Sequence, residues 1–227
     1  MIELTINGNK SEFPEDKTLL ECFRSVGIKI PTLCYHKALS PYGACRLCLV
    51  EVKQEGRDPS IQASCSYPAL DGLSVETDSD RVIRARKVVA ELLLARCPDS
   101  ENIKRVASDL GVEEPRIQKK NDDCIYCGLC ERICRERMGR TAIGFSGRGP
   151  GKTIEPPLGK HNEMSWTCGA CDFICPVGKK VSGLTSINDP LPIPNPYNYG
   201  LDQKPVVHIL YPQAVPNTPV IDKDKCI

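Results

Sequence analysis

The chain has 227 residues, fourteen of them cysteine, with 41% hydrophobic and only 5% aromatic side chains; that length allows one large domain or two to three small ones, and argues against one core running its whole length. Thirty basic against twenty-nine acidic side chains leave a net charge of +1, which excludes bulk binding of nucleic acid through a net basic face. No apolar run approaches ~18 residues, which excludes a membrane-spanning helix and membrane insertion.

The opening, MIELTINGNKSEF, lacks the basic flank and apolar core of a signal peptide, so a reducing cytoplasm is the expected location. Clustered cysteines there read as metal ligands before disulfides. Residues 1–79 read as a small β-rich domain. Met1 to Ile6 alternates as a strand, and Asn7-Gly8-Asn9 is a turn leading into a hairpin. Thr18 is placed to cap a short helix from Leu19 to Val26 that Gly27 ends. Cys48 to Val52 and Gly72 to Thr77 read as further strands.

Residues 80–120 read as a helical connector. Asp80 is the expected cap of a helix whose apolar stripe is Val82, Ile83, Val88, Val89, Leu92 and Leu93. Pro98 interrupts it. Asp99 or Ser100 starts a second helix with Ile103, Val106 and Leu110 on one face and Gly111 closing it. Residues 121–187 hold seven cysteines and little periodic pattern, so metal is expected to replace part of the missing apolar core. Residues 188–227 carry eight prolines and read as an extended tail that orders against a partner. The class is therefore α+β.

Cys34, Cys45, Cys48 and Cys65 follow C-x10-C-x2-C-x16-C. Three thiolates from one loop and a fourth from a distant strand end suit a 2Fe–2S cluster, which needs four thiolates around two irons. Gly43 and Ala44 keep the loop small, so backbone N–H groups can approach the sulfurs. A zinc site with four cysteine ligands is the alternative for the same residues. Cys22, inside the preceding helix, reads as a small buried hydrophobe.

Cys124, Cys127, Cys130 and Cys134 follow C-x2-C-x2-C-x3-C, and Cys168, Cys171 and Cys175 follow with Pro176 after the last. In this scheme the fourth cysteine of each run serves the other cluster. One 4Fe–4S cluster then takes Cys124, Cys127, Cys130 and Cys175. A second takes Cys134, Cys168 and Cys171, and its fourth ligand falls on Ser165, whose oxygen is a poorer iron ligand than thiolate. That site reads as a serine-ligated 4Fe–4S cluster, a three-iron cluster or no cluster, with Cys97, Cys226 or a partner residue as other candidates for completing it.

IPTLCYHKALSPYGACRLCLVEV and ASCSYPALDGLSVET resemble the 2Fe–2S domain of the large iron–sulfur subunit of respiratory complex I, of the small diaphorase subunit of NAD-reducing hydrogenases, and of the N-terminus of iron-only hydrogenases. The resemblance implies a β-grasp, ubiquitin-like ferredoxin fold with Cys34, Cys45, Cys48 and Cys65 as ligands. Plant-type ferredoxins have a shorter first spacing. CIYCGLCERIC, GFSGRGPG and TCGACDFICPVG resemble the corresponding bacterial-ferredoxin-like 4Fe–4S domain of complex I and of the hydrogenase diaphorase subunit. There are two departures. The family's His-x3-Cys-x2-Cys-x5-Cys motif after the helix ending LLL is matched here by LLLARCPDSENIKRVASDLGV, which has only Cys97 and no histidine. That cluster is expected to be absent and Cys97 to be structural. Ser165 is the second departure.

SGRGPGKT has the ending of a phosphate loop, but Ser146 stands where the pattern needs glycine and no apolar strand precedes it. Its glycines read instead as allowing close backbone approach to a cluster. Arg132, Arg135, Arg137, Arg140 and Arg148 read as a solvated basic face, or as neutralising cluster charge or docking an acidic partner. His36, His161 and His208 lack metal spacing and read as structural; His36, two residues past Cys34, is also placed to donate a hydrogen bond near the cluster. Asp-Lys-Cys-Ile at residues 224–227 resembles the opening of a further ferredoxin motif.

No residue set suits binding and transforming an organic substrate. The expected function is an iron–sulfur electron-transfer subunit. It would relay single electrons between a flavin/NAD(P)-binding subunit and a catalytic subunit, by resemblance a hydrogenase, formate dehydrogenase, aldehyde oxidoreductase or electron-bifurcating complex. A freestanding ferredoxin-like carrier and a zinc-stabilised interaction module are the alternatives. Near-neutral charge and the proline-rich tail favour the fixed subunit, since diffusing carriers tend to be small and strongly acidic.

Overall fold

Alternation of apolar residues sets the first strand. In β1 (Ile2–Ile6) the side chains of Ile2, Leu4 and Ile6 are buried while Glu3 faces solvent. The computed structural model describes residues 1–120, 122–159, 168–179, 181, 207–209 and 219–221. Asn7 and Gly8 both take left-handed backbone, φ 49° and 81°, as a two-residue hairpin turn requires. They return the chain into β2 (Asn9–Phe13), antiparallel to β1.

Thr18 caps α1 (Leu19–Ser25) through a reciprocal box. The Glu21 N–H donates to Thr18 Oγ1 at 3.4 Å and the Thr18 N–H to Glu21 Oε2 at 2.8 Å, which satisfies two otherwise orphaned donors. Val26 is the C-cap, and Gly27 follows it at φ 80°. The helix buries Leu19, Leu20, Cys22 and Phe23. Burial of each large apolar side chain contributes about 1.5–3 kcal/mol relative to exposure.

Strands β3 (Leu49–Lys53), β4 (Ser60–Ala63) and β5 (Leu73–Glu76) complete a mixed sheet of order β2-β1-β5-β3-β4, in which β5 runs parallel to β1 and antiparallel to β3. The sequence reading lacked β4. SIQA is polar at its start, half-buried in the middle and buried only at Ala63, which suits an edge strand and gives little alternation to read. Sheet and helices together make the class α+β.

Helix α2 (Asp80–Arg96) begins at Ser79, not Asp80: Ser79 Oγ accepts from the Val82 N–H at 3.3 Å. Asp80 sits in the first turn, where its charge complements the helix dipole. The buried face also differs from the expected stripe. Val82, Arg86, Ala90 and Leu94, spaced by four, are buried with Glu91 and Ala95, whereas Ile83, Val88 and Leu92 are exposed. In VVAELLLA apolar residues face every side and the one charge, Glu91, is itself buried, so composition does not choose the inward side. Cys97 ends the helix. After Pro98, α3 (Glu101–Asp109) follows from Ser100, buries Ile103 and Ala107, and closes at Gly111 with φ 71°.

The cysteine-rich segment has more regular structure than its sequence suggests. It contains α4 (Leu129–Glu136), an antiparallel pair β6 (Gly144–Ser146) and β7 (Thr153–Glu155), and α5 (Ala170–Ile174). The two helices start alike. Gly128 and Gly169 precede them in left-handed backbone, φ 72° and 59°, so Cys127-Gly128-Leu129-Cys130 and Cys168-Gly169-Ala170-Cys171 form one structural unit used twice.

The chain divides into two units, residues 1–186 and 187–227. In the second, β8 (Val207–Ile209) pairs antiparallel with β9 (Pro219–Ile221). The rest of the expected proline-rich tail lies outside the described residues, as do Ser165, His161 and Cys226. Among the described residues no helix is long and apolar enough to cross a membrane.

Candidate metal centres

Cys34 and Cys45 lie on the loop between α1 and β3, Cys48 directly before β3, and Cys65 directly after β4. All four are at most 5% exposed. Their sulfurs are brought together in pairs: Cys34 contacts Cys45 and Cys65, and Cys65 contacts Cys48. They do not gather about one point. Among the described residues, no three His, Cys, Asp or Glu side chains form a single-ion site.

Gly43 turns the loop at φ 72°, and backbone donors then face the sulfurs. The Cys45 N–H lies 3.4 Å from Cys34 Sγ and the Leu33 N–H 3.4 Å from Cys45 Sγ. The Ala44 N–H also faces Cys34 and the Leu47 N–H faces Cys45. Thiol contacts from Cys45 and Cys65 pull Cys34 down to about 2, and the Cys65 thiol pulls Cys48 down to about 6. Cys45 and Cys65, on the donating side of those contacts, are pushed up. Four buried sulfurs with backbone N–H groups aimed at them suit ligation as thiolates, the form that binds iron.

Cys124, Cys127, Cys130 and Cys175 line one small cavity together with apolar groups including Ile154, Val177 and Val181. Cys134, Cys168 and Cys171 line a second, with Met138, Arg140 and Ile143. The fourth cysteine of each run therefore reaches the other run's cavity: Cys175 from α5 the first, Cys134 from α4 the second. Burial pushes the Cys127 and Cys130 thiols up to about 12, and burial with the neighbouring Asp172 carboxylate pushes Cys171 up to about 11.

The first thiol group and the first cavity share one apolar core. Leu33, Cys34, Cys45 and Leu47 pack in the same buried cluster as Leu94, Ile103, Cys127 and Leu129. Cys97 belongs to it as well and is 1% exposed. Burial raises its thiol to about 12, as befits a core residue. Cys22 lies in the first domain's core at 1% exposure, its thiol raised by burial to about 11.

Two buried arginines were not singled out from sequence as buried, and both touch the ligand segments. Arg86, 4% exposed, donates from Nε and Nη2 to the Leu49 carbonyl at 3.0 and 2.6 Å, one residue past Cys48. Arg132, 3% exposed, donates from Nη2 to the Cys34 carbonyl at 2.6 Å and from Nη1 to the Ser40 carbonyl at 2.6 Å. Arg132 thus leaves the expected solvated face, and Arg140 lines the second cavity, while Arg135, Arg137 and Arg148 are exposed. Arg96, half-buried, donates from Nε to the Cys124 carbonyl at 2.6 Å.

His36 accepts through Nδ1 from the Ala38 N–H at 3.2 Å, so that nitrogen folds its own loop and does not donate to a sulfur. SGRGPGKT joins β6 to β7 as a hairpin, not strand to helix as a phosphate loop does. A Cβ on Gly147, at φ 71°, would stand 2.3 Å from the Gly151 carbonyl oxygen; the close approach these glycines allow is to the hairpin's own backbone.

Residues 1–80 match the family of the 2Fe-2S iron-sulfur cluster binding domain. The alpha subunit of the NADPH-Fe(3+) oxidoreductase of Geobacter sulfurreducens is 31% identical over 207 residues, covering 80% of this chain and 24% of that protein. The mitochondrial 78 kDa subunit of NADH-ubiquinone oxidoreductase from Candida albicans is 31% identical over 80% of this chain and 28% of its own length. NADP-reducing hydrogenase subunit HndD of Solidesulfovibrio fructosivorans is 30% identical over 80% and 36%. The chain thus spans roughly a quarter to a third of the length of these relatives. A chain of the NAD+-reducing [NiFe]-hydrogenase, solved in the H2-reduced state, superposes with a TM-score of 0.60 at 29% identity, over 68% of this chain and 74% of that one. Residues 1–80 thus match the 2Fe-2S iron-sulfur cluster binding domain, and the chain is similar to one part of subunits of NAD(P)H-linked oxidoreductases and hydrogenases.

Proposed function

We propose that this chain is an electron-relay subunit, with Cys34, Cys45, Cys48 and Cys65 holding a 2Fe–2S cluster and Cys124, Cys127, Cys130 and Cys175 a 4Fe–4S cluster. The sheet order with α1 across it supports a β-grasp fold for the first domain, and the twice-used Cys-Gly-x-Cys unit supports a bacterial-ferredoxin-like fold for the second. Bound clusters would each carry one electron at a time, at a potential set by ligands, hydrogen bonds and burial.

The observation that carries the relay reading is the apolar core shared by Cys34, Cys45 and Cys127. It brings the first thiol group and the first cavity into direct neighbourhood and keeps water from between them. The chain's own residues supply the sulfur donors, aim the Ala44, Cys45, Leu33 and Leu47 N–H groups at sulfur, and place arginine charge beside both ligand segments. We place the subunit between a flavin/NAD(P)-binding subunit and a catalytic redox subunit, since its relatives are named as parts of NADPH-, NADH- and NADP-linked enzymes. For Cys134, Cys168 and Cys171 we keep three readings: a 4Fe–4S cluster completed by Ser165, a three-iron cluster, or no cluster.

The deciding measurement is iron and acid-labile sulfide per chain on anaerobically purified protein, with low-temperature EPR of the reduced state. Brown protein with one binuclear and at least one cubane signal is expected; colourless protein without inorganic sulfide overturns the reading in favour of zinc. Ser165→Cys is expected to raise the iron content or convert the spectrum of the last site. Unchanged iron and spectra would remove Ser165 from the ligand set.

A further inference from the structure

The two ligand-bearing segments are held to each other by one face of α4. Arg132 spans from that helix to the Cys34–Cys45 loop with two 2.6 Å hydrogen bonds, one of them to the carbonyl of Cys34 itself. One turn on, Glu136 accepts from the Ser40 N–H at 2.8 Å and the Ser40 hydroxyl at 2.6 Å, and the Arg137 Nε donates to the Ala38 carbonyl. The same helix carries Cys130 and Cys134, so Arg132 lies between residues that line the two cavities.

Glu136 and Arg137 work at the rim: Ser40 and Arg137 are exposed. Arg132 is different. It is 3% exposed, its guanidinium lies 5.0 Å from the ring centroid of Tyr42, and its charge acts on the Glu136 carboxylate one turn on without a direct ion pair among the described residues. Its Nε is also the one buried side-chain nitrogen or oxygen among the described residues that has no hydrogen-bond partner. A buried cation with no carboxylate in direct contact is costly unless further negative charge lies close by. Four thiolates and their irons supply such a charge, and a donor that finds no protein acceptor is free to serve it.

Resting on the relay reading above, we propose that Arg132 is a positioning and tuning residue for electron transfer: its fork locks the Cys34–Cys45 loop onto α4, and its positive charge favours reduction at the first thiol site. Adding one electron to that site adds one unit of negative charge, which a cation a few bonds away stabilises. Because the site is dry, the effect is little screened. Lysine keeps the charge but not the planar fork, and glutamine keeps neither.

The experiment uses the full chain, purified anaerobically, as wild type and as Arg132→Gln, Arg132→Lys and Arg135→Gln. Iron and sulfide are counted, and the first site's signal is followed by EPR during a redox titration. For Arg132→Gln the reduction equilibrium at the first site is expected to shift at least tenfold against reduction, equivalent to about 59 mV for one electron. Arg132→Lys should recover more than half of that shift. Arg135→Gln removes the same charge from an exposed position on the same helix and should shift the equilibrium less than twofold. An unmoved potential in fully loaded Arg132→Gln overturns the proposal while leaving the relay reading intact. If Arg132→Gln fails to hold iron, Arg132→Lys decides: full iron at a near-native potential supports the charge role, and loss of iron in both reduces Arg132 to a structural clamp. A wild-type chain without inorganic sulfide sinks both readings.

Discussion

In the first eighty residues seventeen buried side chains form the core of a five-stranded sheet and one helix, and only Cys22, Cys48 and Cys65 among them are cysteines. Between residues 122 and 181 the corresponding described core has four buried members, one of them Cys130, with Cys124, Cys134 and Cys171 packed against it. One region builds an apolar core in which thiols are a small minority. In the other the thiols are themselves much of what lies inside. A small apolar core cannot offset chain entropy alone, so the second region is the one whose folding should depend on metal.

The harshest test of that contrast is metal removal. After chelation of iron under reducing conditions, hydrogen exchange should show amides of β1, β3 and β5 still protected and those of α4 and α5 exchanging fully. Equal loss in both regions would mean that the sheet also rests on its ligands. Cys45→Ser comes next in size. It should abolish the paramagnetic signal of the first site and leave a cubane signal, because Cys124, Cys127, Cys130 and Cys175 remain. Loss of both signals together would show that the shared core couples the two assemblies more tightly than their separate ligand sets suggest.

The local chemistry of this chain was legible from short patterns, and Cys175, 45 positions past Cys130, from the spacing of its own run. Asn7-Gly8 announced a turn, Thr18 with Glu21 a helix start, and the spacings around Cys34 and Cys124 two sets of four thiols. The long-range features were not. Arg132 meets Cys34 across 98 positions and Arg86 meets Leu49 across 37, and an arginine in a basic run looks solvated until the fold closes over it. Arg86 did leave a trace: it occupies the four-residue spacing Val82, Arg86, Ala90, Leu94 that turned inward. The apolar run from Val88 to Leu94 drew attention to the wrong side of the helix.

Phe23→Ala probes the metal-independent core directly. Phe23 is fully buried among the strands, and removing such a ring costs about 3–5 kcal/mol through lost transfer energy and the cavity left behind. Chemical denaturation of the chelated and the loaded protein should show a similar loss in both, since the ring packs in the sheet's own core. A loss seen only in the loaded form would contradict the independence of that core.

The smallest expected effect concerns the connector that joins the two regions. The Glu91 carboxylate on α2 accepts from Arg116 three ways: from its Nε at 2.9 Å, from its Nη2 at 2.7 Å and from its backbone N–H at 2.6 Å. Those side-chain and backbone donors hold the carboxyl below its ordinary value of 4.5. A group whose pKa is lower in the folded than in the unfolded chain releases its proton more readily when folded, so its stabilisation is complete above the unfolded value and fades as pH falls through the folded one. Glu91→Gln should therefore lower the melting temperature at neutral pH by less than Phe23→Ala does, with the gap constant down to about pH 4.5 and closing below it. Because the pair sits at the protein surface on the arginine side, added salt should shrink the gap. A gap that persists unchanged into strong acid would assign the effect to packing of the side chain and not to its charge.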